Sequence, residues 1–338
     1  MYKINFLVFK FKKLFIPICI YLFVISLLVF SNTNLLSAKT GLTLWANSVV
    51  PSLLPFFIAT ELLGYTSIIA FLGKYFTKIM RPLFNVPGEG CFPFIMGIIS
   101  GYPIGAKIIC NLKKQGICTN EECERLLAFT NNSGPLFIVG TIGVGLFKDV
   151  KIGFLLFFTH ILSCISVGFL FRWWQTRKSR MTDSIPSYFT PKTVSISNIG
   201  EVLSISIMNS INTIFLIGGF IVLFSVIVSV LKNSGFFNIV TLIISPILNL
   251  LKIPITFSES IITGIIELTN GVCNIALIPN TSMSLNIILC AFLLGFGGIS
   301  IALQILSITS KCKISIKPYL IGKFLQGILA ALYTYIML

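Results

Sequence analysis

Apolar runs of membrane-spanning length follow one another along almost the whole chain, and several of them are interrupted by polar or helix-breaking residues. The first occupies residues 14–30, behind Lys3, Lys10, Lys12 and Lys13. That layout is shared by signal peptides and signal anchors. Only a weak Leu36-Ser37-Ala38 resembles a cleavage site, so an uncleaved first transmembrane helix is expected. The next runs predict a crossing helix over residues 42–64 bent at Pro51 and Pro55, an amphipathic arm over 65–81 and a helical hairpin over 91–110. Crossings over 126–147 and 153–171 follow. A second series is predicted as a crossing over 204–231, an arm over 236–251, a hairpin over 257–278 and crossings over 284–307 and 318–338.

The sharpest interruption is Ser100-Gly101-Tyr102-Pro103-Ile104-Gly105-Ala106-Lys107, which sets helix breakers, hydroxyls and a cation inside an apolar segment. Lipid cannot satisfy the backbone groups that such a break frees. A break at membrane depth is therefore buried in protein or lines a wet cavity, and it points to a binding or transport site. A second break follows at Asn131-Asn132-Ser133-Gly134-Pro135.

Composition fixes the class. Hydrophobic residues are 55% of the 338 and charged residues 10%, the balance of a polytopic membrane protein rather than a soluble domain. A net charge of +15 could suggest nucleic acid, but the basic residues cluster at the ends of apolar runs and read as topology signals. The nine cysteines form no CxxC pair and are expected as free thiols, with no metal site. There is no His cluster, glycine-rich phosphate loop or nucleophile beside a base, so no enzyme and no cofactor is expected.

A polar segment at 172–201, with Arg172, Arg177, Lys178, Arg180, Pro186, Pro191 and Lys192, divides the chain. The expected organisation is residues 1–40 as basic segment and first helix, 41–171 and 202–338 as two membrane repeats, and 172–201 as a cytoplasmic basic loop. Asn47-Ser48 echoes Asn209-Ser210, Pro82 and Asn85 echo Pro246 and Asn249, and Pro87 and Gly97 echo Pro254 and Gly264. From Pro87 onward a constant offset sets residues 101–105 beside 268–272 and Ser133 beside Ser300. A cytoplasmic N-terminus and a cytoplasmic loop require an odd number of crossings in the first repeat, so the repeats should be inverted. That arrangement leaves Lys39, Lys148, Lys151, Lys232 and Lys252 outside, out of 25 Lys and Arg. The expected fold class is an all-α polytopic membrane protein of two inverted repeats, each with a re-entrant hairpin and a broken helix, plus an extra N-terminal helix.

Several residues could carry chemistry. In the first hairpin, Gly101 and Gly105 allow close approach, Pro103 breaks the hydrogen-bond ladder, Ser100 and Tyr102 offer hydroxyls, and Lys107 could meet a carboxylate. The bland alternative is a glycine packing face with Lys107 reaching the interface. Asn131, Asn132, Ser133 and Gly134 could line an unwound helix or form a plain loop ahead of Pro135; Gly140, Gly143 and Gly145 read as a packing surface. In the second half, Glu267, Thr269, Asn270 and Gly271 stand opposite the first hairpin. An acid inside the membrane is a functional hypothesis by default, so Glu267, with Asn270, could hold a coupling sodium ion or proton, or Glu267 could pair with a lysine. Gly297, Gly298, Ser300 and Gln304 mirror the break at Asn131 to Pro135 and could close a fourth wall. Glu61 is a weaker acid candidate, and His160 reads as a hydrogen-bonded core residue more readily than a relay.

At these motifs the chain resembles the YlbJ family of sporulation integral membrane proteins, also called SpoVV. The resemblance rests on Ser100 to Lys107, on Glu124-Arg125-Leu126 with Phe129 and Asn131 to Phe137, and on Glu267-Leu268-Thr269-Asn270-Gly271. That family is similar to the nucleoside-recognition, or Gate, proteins and more distantly to concentrative nucleoside transporters, with inverted repeats, re-entrant hairpins and unwound helices. The resemblance implies a multi-pass protein of the mother-cell-derived outer forespore membrane that moves dipicolinic acid toward the forespore. Its partners would be a small anionic substrate and the lipid bilayer, with a homo-oligomer or sporulation membrane partners left open and no nucleic acid. A non-transporting scaffold for coat or cortex assembly and a nucleoside permease stand as alternatives. Loss of Lys107 is expected to weaken anion transport more than protein level.

Overall fold

The computed structural model describes residues 2–175, 198–279 and 282–338; residues 176–197, most of the predicted basic loop, lie outside them. Every regular element among the described residues is helical. Helix α1 (Tyr2–Val29) exposes most of its apolar side chains from Leu14 to Val29. A bend of 100° leads into α2 (Ser31–Leu44). A π-helical turn, Trp45–Val49, joins α2 to α3 (Val50–Leu63). Pro51, at the start of α3, lacks an N–H and crowds the preceding turn, and the wider π turn accommodates it.

After a bend of 86° comes α4 (Ile68–Phe84), and then a short 3-10 turn leads to α5 (Cys91–Ser100). Helices α6 (Ile104–Lys114) and α7 (Asn120–Phe129), a π-helical segment Leu136–Leu146 and α8 (Val150–Phe171) complete the first half. The second half contains α9 (Ile199–Asn233), α10 (Phe236–Leu250), a 3-10 turn, α11 (Ser258–Ile266), α12 (Leu268–Ala276), α13 (Met283–Phe296), α14 (Gly298–Thr309) and α15 (Lys317–Met337).

From Ser31 onward the order of elements occurs twice: a long helical run, an amphipathic helix, a 3-10 turn, a short helical hairpin, a broken helix and a final long helix. The two long runs pack against each other in opposite directions. Asn233 Nδ2 donates to Thr33 Oγ1 at 3.1 Å, Trp45 Nε1 to the Ile214 carbonyl at 2.9 Å, and Asn209 Nδ2 to Glu61 Oε2 at 3.1 Å, so residue numbers rise on one helix as they fall on the other. The constant residue offset does not survive inside the hairpins. It would pair Ile104 with Gly271, whereas Ile104 opens α6 and Leu268 opens α12, because the second hairpin turns through a shorter break. The first crossing also starts earlier than residue 42, since helix continues unbroken from Ser31.

Among the described residues four helical stretches are long and apolar enough to cross a membrane: Val150–Phe171, Ile199–Asn233, Met283–Cys312 and Lys317–Met337; the two bent pairs nearer the N-terminus raise this to six if each is one span. The hairpin arms have 9 to 11 residues. At about 1.5 Å per residue each arm reaches roughly half of a ~30 Å hydrocarbon core, so neither arm crosses it. Both hairpins close on glycine. A Cβ on Gly105 would lie 2.6 Å from the Thr130 carbonyl oxygen, one on Gly97 would overlap the same oxygen, and Gly264 of α11 abuts Gly271 of α12. All nine cysteines are free thiols.

Candidate functional site

Both hairpin tips and both helix breaks meet at one cavity of about 360 Å³. Gly101 and Tyr102 reach it from the first hairpin, Ser133 and Gly134 from the first break. Glu267, Leu268 and Thr269 reach it from the second hairpin, Ser300 and Gln304 from α14. Leu44, Val49, Leu53, Phe137, Ile217 and Ile221 form an apolar wall. The helices starting at Ile104, Leu136, Leu268 and Gly298 all begin at these tips and breaks, and two of their first residues, Leu136 and Leu268, line the cavity itself.

Each break has its own local cause. Gly101 takes φ +78° and lies against Gly134, a conformation and an approach that a side chain would obstruct. The Tyr102–Pro103 peptide is cis. Asn131 Oδ1 accepts the Ala106 N–H at 2.8 Å and so caps α6 from a neighbouring segment, the usual work of a local N-cap done from 25 residues away. Asn132 Nδ2 donates to the Phe129 carbonyl at 2.8 Å, which closes the end of α7. The Ser133 N–H donates to His160 Nε2 at 3.3 Å, so His160 is a buried, hydrogen-bonded side chain that holds the first break. In α13–α14 the break is Gly297 and Gly298, both at positive φ.

Glu267 is 3% exposed and caps α12: its two carboxylate oxygens accept the Thr269 N–H at 3.1 Å and the Asn270 N–H at 2.8 Å. Among the described residues no lysine lies within ion-pair distance of it. The carboxyl group is therefore held by the N-terminal amides of α12 and not by a cation. Among the described residues no three of His, Cys, Asp and Glu gather where they could hold a metal ion.

The other residues singled out in the sequence support the walls. Ser100 Oγ lies 3.1 Å from Thr60 Oγ1, Pro103 and Gly105 are buried at the start of α6, and Gly271 packs on α11. Asn131 and Asn132 hold the break from behind, and Asn270 contributes the backbone N–H that Glu267 accepts. Lys107 does not line the cavity. Its Nζ forms an ion pair with Glu61 Oε1 at 2.7 Å and donates to Thr213 Oγ1 at 3.0 Å and the Asn209 carbonyl at 3.3 Å. The expectation that Lys107 meets a substrate carboxylate is corrected accordingly: Glu61 already neutralises it.

Sequence reasoning passed over Lys323 and Gln326 of α15. Lys323 is 1% exposed; its Nζ donates to Gln326 Oε1 at 2.7 Å and lies 3.4 Å from both Asn132 Oδ1 and the Tyr102 hydroxyl. Gln326 Nε2 donates to Asn132 Oδ1 at 2.9 Å. The signal was present as a lone cation inside the apolar stretch that ends the chain, the same signal that singled out Glu267.

A family model described as Gate, nucleoside recognition, matches residues 46–172, from the π-helical turn to just beyond α8. Over 315 residues the chain is 34% identical to the Sporulation integral membrane protein YlbJ of Bacillus subtilis (strain 168), an alignment that covers 89% of this chain and 76% of that protein. No solved structure matches the chain. A likeness that spans both halves, the two hairpins and the two breaks identifies the chain as a multi-pass integral membrane protein belonging to the YlbJ family of sporulation integral membrane proteins.

Proposed function

We propose that the chain is a transporter of a small aromatic dicarboxylate, dipicolinic acid, which it moves across the outer forespore membrane toward the forespore. The observation that carries this reading is the convergence of two hairpin tips and two helix breaks on one cavity. Broken helices at membrane depth are tolerated where they line a cavity, and their N-terminal ends favour negative charge. A volume of about 360 Å³ falls within the roughly 300–1,000 Å³ of small-molecule sites. The apolar wall and the Tyr102 ring suit an aromatic body, and the hydroxyls of Ser133, Thr269 and Ser300 suit carboxylates at its edge.

The two halves are taken as inverted repeats that rock against each other, with the N-terminus and the basic loop on the cytoplasmic side. The opposed packing of α9 against α2 and α3 supports this arrangement. Glu267 gives the cycle its coupling. An ionised carboxylate in the wall repels an incoming dianion, so binding of a proton or a sodium ion at Glu267 makes anion entry favourable. Net movement then follows the combined gradients.

Saturable binding of dipicolinate to the purified chain, read by calorimetry with uridine as the comparison compound, tests the reading. Dipicolinate binding without uridine binding is the expected result. Uridine alone binding favours the nucleoside permease to which the description of the Gate model points, and binding of neither overturns both.

A further inference from the structure

Lys323, in the second turn of α15, is a buried cation that the cavity wall and the Glu267 coupling leave without a task. Among the described residues no carboxylate lies within ion-pair distance of it. Its neighbours with titratable groups are Tyr102 at the hairpin tip, His160 and Cys164 on α8 and Tyr319 on α15, none of which is a carboxylate. Burying an ammonium without a counter-charge costs several kcal/mol, and such groups in membrane proteins mark ligand pathways.

The hydrogen bonds around it are unevenly satisfied. Gln326 Oε1 at 2.7 Å is a good acceptor, whereas Asn132 Oδ1 and the Tyr102 hydroxyl at 3.4 Å are at the weak limit, and all three are neutral. A carboxylate is a stronger acceptor than either of the distant pair. One side chain, Tyr102, touches both the ammonium and the cavity. The Tyr102 ring lines the cavity, and its centroid lies 5.1 Å from Lys323 Nζ. A second polar atom waits on the same side: the Tyr319 hydroxyl is buried, has no hydrogen-bond partner among the described residues and lies close to Gly297, beside the Tyr102 hydroxyl.

We propose that Lys323 supplies the anion-selecting charge of the cavity, screened by Tyr102 and reached by a substrate carboxylate that displaces the Tyr102 side chain. The ring and hydroxyl of Tyr102 hold the ammonium while the cavity is empty; the carboxylate replaces them when it is filled, and the Tyr319 hydroxyl donates to the same anion. This rests on the anion-transport reading and identifies the charge which that reading otherwise lacks, since Lys107 is neutralised by Glu61.

Two measurements test it. In proteoliposomes, Lys323→Gln is expected to lower dipicolinate uptake at limiting concentration at least tenfold, while Lys151→Gln, an exposed lysine at the start of α8, leaves it unchanged. Wild-type uptake by folded Lys323→Gln overturns the inference and leaves the transport reading intact. Because Lys323→Gln could fail to fold, the second measurement keeps Lys323 in place. The wild type and Tyr102→Ala are treated in detergent with trinitrobenzenesulfonate, and modification of the Lys323 peptide is followed by mass spectrometry. Removal of the screen is expected to raise the rate at least tenfold, and dipicolinate is expected to suppress it. Equal rates in the two proteins overturn the inference whatever the substrate, whereas absence of dipicolinate uptake by the wild type, with Lys323 still unmasked in Tyr102→Ala, overturns the transport reading alone.

Discussion

Lys107 lies in the second arm of the first hairpin and Lys323 contacts its tip, yet the two lysines have opposite surroundings. Lys107 has Glu61 at 2.7 Å and two further acceptors, so it ties the hairpin to α3 and α9. Side-chain exposures of 23% and 12% place this pair between surface pairs, which contribute little, and buried ones, whose rupture is costly. Lys107→Ala should therefore destabilise the folded protein by about 2 kcal/mol, because Glu61 is left half-buried and unpaired. The double variant Glu61→Gln/Lys107→Gln should recover most of that loss. Thermal unfolding in detergent of the two single variants and the double variant checks this, and equal, additive losses would remove the pair from the explanation. Glu267 separates two properties of one side chain. Glu267→Gln keeps an oxygen for the α12 amides but loses the charge, so uptake should persist while its dependence on a proton or sodium gradient disappears. Glu267→Ala removes the cap as well and should cost about 1 kcal/mol of stability in addition.

At the level of elements, the first hairpin and the first helix break act as one unit, joined at the Thr130 carbonyl and the Asn131 side chain. A Cβ on Gly97 runs into that carbonyl and one on Gly105 comes within 2.6 Å of it. Gly97→Ala should thus separate hairpin from break, an overpacking cost of about 1–3 kcal/mol, seen as a loss of monodisperse protein in size-exclusion profiles. A variant as stable as the wild type would show that the contact gives way freely. The breaks were legible in the sequence because Gly101, Pro103, Gly134, Pro135 and Gly297 are punctuation that an apolar helix does not carry without cause. Glu267 was legible as an acid inside an apolar run, and its place at the start of α12 was not. What surrounds Lys107 and Lys323 was not. Glu61, 46 positions before Lys107, and Asn132, 191 positions before Lys323, become neighbours only through the packing of separate helices. Lys323 also reads locally like a lysine that reaches for an interface. The π-helical form of Leu136–Leu146 was equally hidden, since its glycines suit a packing surface in any helix.

For the whole molecule, the governing feature is that the chain builds the same series of helices twice and places the breaks of both series around one cavity. Opposed packing of the two long runs makes a simple test of that arrangement. Thr33 and Asn233 are in contact through their side chains, and both are exposed. Thr33→Cys/Asn233→Cys should form a disulfide on mild oxidation, whereas Thr33→Cys/Asn209→Cys should not, and the reverse pattern would mean that α9 runs the other way. Transport is the decisive property. Uptake of labelled dipicolinate into proteoliposomes that contain only the purified chain should be saturable and insensitive to excess uridine, and it should lose its dependence on a proton or sodium gradient in Glu267→Gln. Folded, reconstituted protein that carries no dipicolinate across the bilayer, or whose gradient dependence is the same in Glu267→Gln, would contradict the assignment of the cavity as a transport site.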